Sequence, residues 1–194
     1  MKNVIVHYDY ASPWAFIASE IAERKLPGVP LTWVPTYLRG LESFATGIPY
    51  TSAKLTYVTR DLVRVAEHEK VKIEPPASFP VDGLATLRGA IVAQQRGGGA
   101  FERYHRAAFR ATWTEQRDVS NRSVAAALLA EAIGTTSAEA EAAMADASVK
   151  TKLRENTEQA VARGVFGTPT FFVGDEMFWG HDRMDYVLRE ASKA

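Results

Sequence analysis

Strand character is confined to the two ends of this chain, and the long stretch between them is patterned for helix. Residues 3–10, NVIVHYDY, and residues 31–38, LTWVPTYL, are rich in β-branched and aromatic side chains and predict strands. Strand character returns at residues 170–173, TFFV, and 176–179, EMFW. Gly174-Asp175 separates these two runs and predicts a hairpin turn. Ser12-Pro13 stops the first strand and opens a helix. The serine oxygen can accept from an unpaired backbone N–H, and proline suits the first helical position, where no N–H is needed. Trp14, Ile17, Ala18 and Ile21 then recur at helical spacing, and Leu26-Pro27-Gly28 ends the helix.

The middle carries a series of apolar stripes at helical spacing. They are Leu55, Val58, Leu62 and Val65; Leu84, Leu87 and Ile91; Phe101, Tyr104 and Ala108; Val124, Leu128 and Ala132; and Val149, Leu153, Thr157 and Ala160. Thr136 to Glu139 matches a capping box. Gly97-Gly98-Gly99 follows a helical stripe instead of a strand, so it reads as a break between helices and not as a phosphate-binding loop. Asp182, with Asp185 three residues on, predicts the cap of a last helix through Leu188. The order is βαβ, a helical block, then ββα. That is an α/β fold with the thioredoxin order: a discontinuous core at about 1–43 and 164–194, and an all-helical insertion at 44–163.

Composition removes several kinds of function. The 23 basic and 23 acidic residues cancel, so no basic field exists to attract nucleic acid or an anionic membrane. There is no cysteine, which excludes disulfides, thiol redox cycling and thiolate metal sites. Chemistry that needs sulfur must draw it from a substrate or cosubstrate. His7, His68, His105 and His181 are scattered without zinc-ligand spacing, so no metal is expected. The N-terminal residues lack the apolar core and cleavage site of a signal peptide, and no apolar run reaches membrane-spanning length. The expectation is a cytoplasmic enzyme or binding protein.

Three stretches carry a resemblance. Tyr10-Ala11-Ser12-Pro13-Trp14-Ala15-Phe16 is similar to a D-F-x-S-P-[YFW] start, residues 164–171 to G-V-F-G-x-P-T-F, and residues 178–185 to F-[WF]-G-x-D-R-x-[DE]. Lys54, Tyr57, Asp61 and Leu62, then Phe79-Pro80 and Arg88, then Phe109, Trp113, Arg117 and Asp118 extend the match through the helical block. These motifs belong to the 2-hydroxychromene-2-carboxylate isomerases and kappa-class glutathione transferases, within the DsbA lineage. The resemblance implies a DsbA/kappa-type fold and glutathione as cofactor. It implies that Ser12 stabilises the glutathione thiolate, that the Thr168-Pro169 bond is cis, and that Thr168 pairs with the cysteinyl unit.

It further implies that Asp182 holds the γ-glutamyl amine and that His181 and Lys54 can meet glutathione carboxylates. Arg39 and Trp14 are candidates for binding a small aromatic electrophile. The implied reaction is isomerisation of 2-hydroxychromene-2-carboxylate, or of a related aromatic pyruvate adduct, by reversible thiolate addition. A kappa-like transferase and a non-catalytic glutathione-binding module are the alternatives, and relatives suggest a homodimer. The residues taken alone leave simpler roles open: Ser12 and Asp182 as helix caps, Lys54 and Arg39 as solvated side chains, Trp14 as packing. One departure stands out. Gly47-Ile48-Pro49-Tyr50 replaces the family's G-N-x-P-P, so an asparagine amide is missing at Ile48.

Overall fold

A computed structural model describes residues 1–77 and 79–193. Ala194, the last residue of the expected core, lies outside the described residues. Strand β1 (Val4–Tyr8) leads through α1 (Pro13–Lys25) to β2 (Leu31–Pro35). Six helices follow: α2 (Ser52–Glu69), α3 (Leu84–Arg96), α4 (Ala100–Trp113), α5 (Arg122–Ile133), α6 (Ser137–Ala145) and α7 (Ala147–Ala162). The hairpin β3 (Thr170–Val173) and β4 (Glu176–Trp179) and the helix α8 (Met184–Ala191) complete the chain. The sheet order is β2-β1-β3-β4, with β2 parallel to β1 and the other two pairs antiparallel. Among the described residues, no helix is long and apolar enough to cross a membrane.

Both faces of β1 are covered, which is why its sequence is nearly all apolar instead of alternating. Val4, Val6 and Tyr8, with Phe171 and Val173 of β3, face the main core, which α1, the helical block and α8 complete. Ile5 and Phe172 point to the opposite face and meet Leu41, Ala160 and Val165. Helix α7 covers that face. Asn156 Nδ2 donates to the Pro35 carbonyl at 3.2 Å, and Thr157 Oγ1 accepts from the Tyr37 N–H at 3.0 Å.

The triple glycine separates α3 from α4 as its sequence predicts, and the Thr136–Glu139 capping box forms. Two local expectations change. The second strand ends at Pro35, because the Leu38 N–H leaves the sheet and donates to the Asp9 carboxylate at 2.8 Å. Asp182 does not cap α8. It sits inside a 3-10 turn, His181–Arg183, and pairs with its neighbour Arg183 at 2.7 Å, while α8 begins at Met184 without a side-chain cap.

Gly89 marks where α3 meets α4. A methyl there would overlap the hydroxyl of Tyr104, which donates to the Thr86 carbonyl at 3.0 Å. Gly89→Ala is expected to cost about 1–3 kcal/mol through overpacking. Urea unfolding checks this, and the loss is expected to shrink when Tyr104→Phe is added. An unchanged midpoint for Gly89→Ala would show that Tyr104 moves aside freely.

Candidate active site

Ser12 takes its place because β1 runs out just before it and α1 starts just after it. Its backbone is extended, with φ −95 and ψ 115, and its hydroxyl oxygen accepts from the Ala15 N–H at 3.2 Å. Pro13 occupies the start of the helix, as expected. The serine is only 4% exposed and lies at the positive end of the α1 dipole. Its hydroxyl donates to the Thr168 carbonyl at 2.9 Å, across 156 positions of sequence. The Thr168-Pro169 bond is cis. Pro169 is buried, and its carbonyl accepts from the Gly180 N–H at 3.0 Å, tying this segment to the end of β4. Thr168 Oγ1 is buried without a partner among the described residues.

Ser12 and Thr168 line a cavity of about 300 Å³. Trp14, Ile48, Tyr50, Phe79, Trp113 and Trp179 contribute to its walls. Of its described lining residues only Asp9 and Arg39 carry charge. Ile48, in place of an amide, makes that wall apolar. Arg39 Nη1 lies 3.9 Å from Asp82 Oδ2, a loose pair, and Asp82 is also engaged by the Leu84 N–H at 3.0 Å. Tyr37 donates to the same carboxylate oxygen at 3.5 Å. Burial, and then the charge of Asp82, push the Tyr37 hydroxyl up to about 12.

Asp9 is fully buried. Oδ1 accepts from the Ala11 N–H at 2.9 Å and Oδ2 from the Leu38 N–H at 2.8 Å. Burial raises its carboxyl to about 6 despite these two bonds. Sequence reasoning passed over Asp9. The usable signal was an Asp two residues before an unpaired N–H, the pattern of an Asx turn. Trp113 was likewise read only as part of a motif. Its Nε1 donates to the Tyr10 carbonyl at 2.8 Å and pins the loop before Ser12 to α4.

The other candidates lie elsewhere. His181 and Asp182 line a neighbouring cleft of about 420 Å³ with Lys25, Arg64, His68 and Asp185. Trp14 stacks on His181, with centroids 5.1 Å apart and planes 5° from parallel, so this pair stands between cavity and cleft. Burial lowers the His181 pKa. Lys54 is exposed and belongs to neither lining. Its Nζ sits 4.4 Å from the centre of the Tyr50 ring, at the cavity's edge.

A four-stranded mixed sheet with an interposed helical block, a helix starting at the site and a cis-proline facing it define a thioredoxin-fold protein whose reactive position carries a hydroxyl. The family model described as DSBA-like thioredoxin domain matches residues 3–191, and the chain belongs to that family. The 2-hydroxychromene-2-carboxylate isomerase of Sphingobium xenophagum is 25% identical over 192 residues, covering 96% of each chain. Human glutathione S-transferase kappa 1 is 25% identical over 203 residues, covering 96% of this chain and 89% of the human protein. A solved structure of a 2-hydroxychromene-2-carboxylate isomerase superposes with a TM-score of 0.80 at 27% identity, over 97% of this chain and 93% of that one. With relatives of this kind along nearly its whole length, the chain is an enzyme.

Proposed function

We propose that the protein catalyses the glutathione-dependent isomerisation of 2-hydroxychromene-2-carboxylate or a closely related aromatic pyruvate adduct. The observation that carries this reading is the meeting of Ser12 and Thr168 in an apolar cavity of a chain without cysteine. The residues present fit glutathione. No protein thiol competes for the place, and the unpartnered Thr168 hydroxyl leaves a buried polar atom for a ligand to satisfy. Thr168 and Pro169 would hold the cysteinyl backbone as an added strand. His181 and Asp182 would hold the γ-glutamyl end, and Lys54 would meet a carboxylate at the mouth. Bound glutathione supplies a thiolate nucleophile that is returned unchanged at the end of the cycle.

The chain's own groups do the rest. The N-terminus of α1 favours negative charge beside Ser12. The Ser12 hydroxyl has one proton, now given to the Thr168 carbonyl, and it turns toward the sulfur when a thiolate arrives. Trp14 and Trp179 flank a planar ring, Arg39 meets its carboxylate, and the Ile48 wall excludes water. We place the protein in the cytoplasm, where glutathione is kept reduced.

Product analysis tests the reading. Incubation with 2-hydroxychromene-2-carboxylate and glutathione is expected to give trans-benzylidenepyruvate with free thiol undiminished. A stable thioether with loss of thiol would instead establish a kappa-like transferase, the reading that the end-to-end match to the human relative favours.

A further inference from the structure

The cavity's two chemical ends belong to different parts of the chain. Ser12 follows β1, and Arg39 follows β2. One buried carboxylate reaches both. Asp9 accepts from the N–H of Ala11, the residue before Ser12, and from the N–H of Leu38, the residue before Arg39. The Ser12 N–H in turn donates to the Asp9 carbonyl at 3.0 Å. A third segment closes over the same carboxylate. Gly83 lies so near that any Cβ there would overlap Asp9 Oδ1, and the adjacent Asp82 faces Arg39. The carboxylate itself is fully buried, so it does not touch a substrate in this arrangement.

We propose that Asp9 is a positioning residue that holds Ser12 and Arg39 in one register, so that the thiol-binding floor and the carboxylate-binding wall of the cavity are set together. An ionised carboxylate can accept both N–H bonds at once, with one oxygen for each. An amide offers a single acceptor oxygen, so Asp9→Asn leaves either Ala11 or Leu38 without its partner. The inference rests on the glutathione reading for its thiol arm, and its other arms need no glutathione.

The test uses three measurements on the full chain: the thiolate absorbance of bound glutathione against pH, the affinity for 2-naphthoate compared with 2-naphthamide, and the thiol pKa of Ser12→Cys found from its alkylation rate. Asp9→Asn is expected to raise the bound-glutathione and Ser12→Cys pKa values by about one unit, through loss of about 1.4 kcal/mol of thiolate stabilisation. It is also expected to weaken naphthoate about tenfold while leaving naphthamide unchanged. The direction matters. Removing a negative charge acts through space to lower a nearby thiol pKa, so a rise reports lost positioning and a fall overturns the proposal. An unchanged thiol pKa in the Ser12→Cys background, or unchanged naphthoate binding, overturns it as well. If the wild-type protein shows no bound thiolate, the glutathione reading fails, while the Ser12→Cys and naphthoate arms still decide the role of Asp9. Gly83→Ala displaces the carboxylate without altering its charge and is expected to shift both readouts the same way, which covers the case of Asp9→Asn failing to fold.

Discussion

Ser12→Ala is expected to raise the pKa of protein-bound glutathione by roughly one to two units and to lower turnover by about a hundredfold, the effect typical of removing one donor from a developing or resting anion. Ultraviolet titration of the bound thiolate checks the first part and steady-state kinetics the second. The variant also loses the cap on α1, because Ser12 Oγ no longer accepts from Ala15, at a cost of about 1 kcal/mol. Thermal unfolding separates that stability loss from the chemical one. The structure makes the result informative, since the Ser12 hydroxyl now donates to Thr168. An unaltered thiolate titration would mean that it never turns to the sulfur, leaving α1 and Thr168 as the only stabilising groups. Ser12→Cys is the complementary variant. A thiol pKa below about 8.5 there would show that the site favours an anion before any ligand binds.

The second large effect concerns acid stability. His105 on α4 is buried among the rings of Tyr8, Trp33, Phe101 and Phe109. Tyr10 OH and Ser19 Oγ lie 3.2 and 3.1 Å from its two ring nitrogens. Burial lowers its pKa to about 3. His7 on β1 is lowered to about 4 by burial and then by the charge of Arg163, and its Nε2 has no partner among the described residues. Both histidines fold neutral, whereas in the unfolded chain they take up protons near pH 6.5. Their contribution to stability is therefore fully present above about pH 6.5 and is lost as the pH falls toward the folded values. At pH 5 the loss is about 2 kcal/mol for each.

Asp9 works against them. Its raised carboxyl takes up a proton in the folded state near pH 6, before the unfolded chain does, which returns about 1.4 kcal/mol by pH 5. The net expectation is a fall of roughly 2–3 kcal/mol between pH 7 and pH 5. Urea unfolding at the two pH values measures it. His105→Gln is expected to be less stable at pH 7 and to lose about 2 kcal/mol less than wild type on acidification. Equal losses in the two proteins would sink the assignment to His105.

Much of the fold follows from neighbours in sequence. Strand runs, helical stripes, the Ser12 cap, the glycine break and the Thr136 capping box are short-range preferences, and they appear where the residues place them. The second strand stops early, and Asp182 falls in a 3-10 turn, because contacts from elsewhere and the backbone path outweigh a local preference. In the site, Ser12 and Thr168-Pro169 were recognisable as motifs. The assembly of Trp113, Arg39 and Ile48 around them was not, because each comes from a separate segment and points where packing sends it.

The amino-acid sequence by itself determined that no thiol of this protein can react, that a hydroxyl opens the first helix, and that a helical block divides a βαβ–ββα frame. Those are matters of composition and of interactions a few residues apart. The folded chain settled which groups share a cavity. It brought Arg39 to the wall beside Ser12, set His181 and Asp182 across the Trp14 stack in another cleft, and left Lys54 against Tyr50 at the edge. It also gave Asp9 two partners 2 and 29 positions away. A buried carboxylate must find donors wherever the fold presents them, and no local pattern names the distant one.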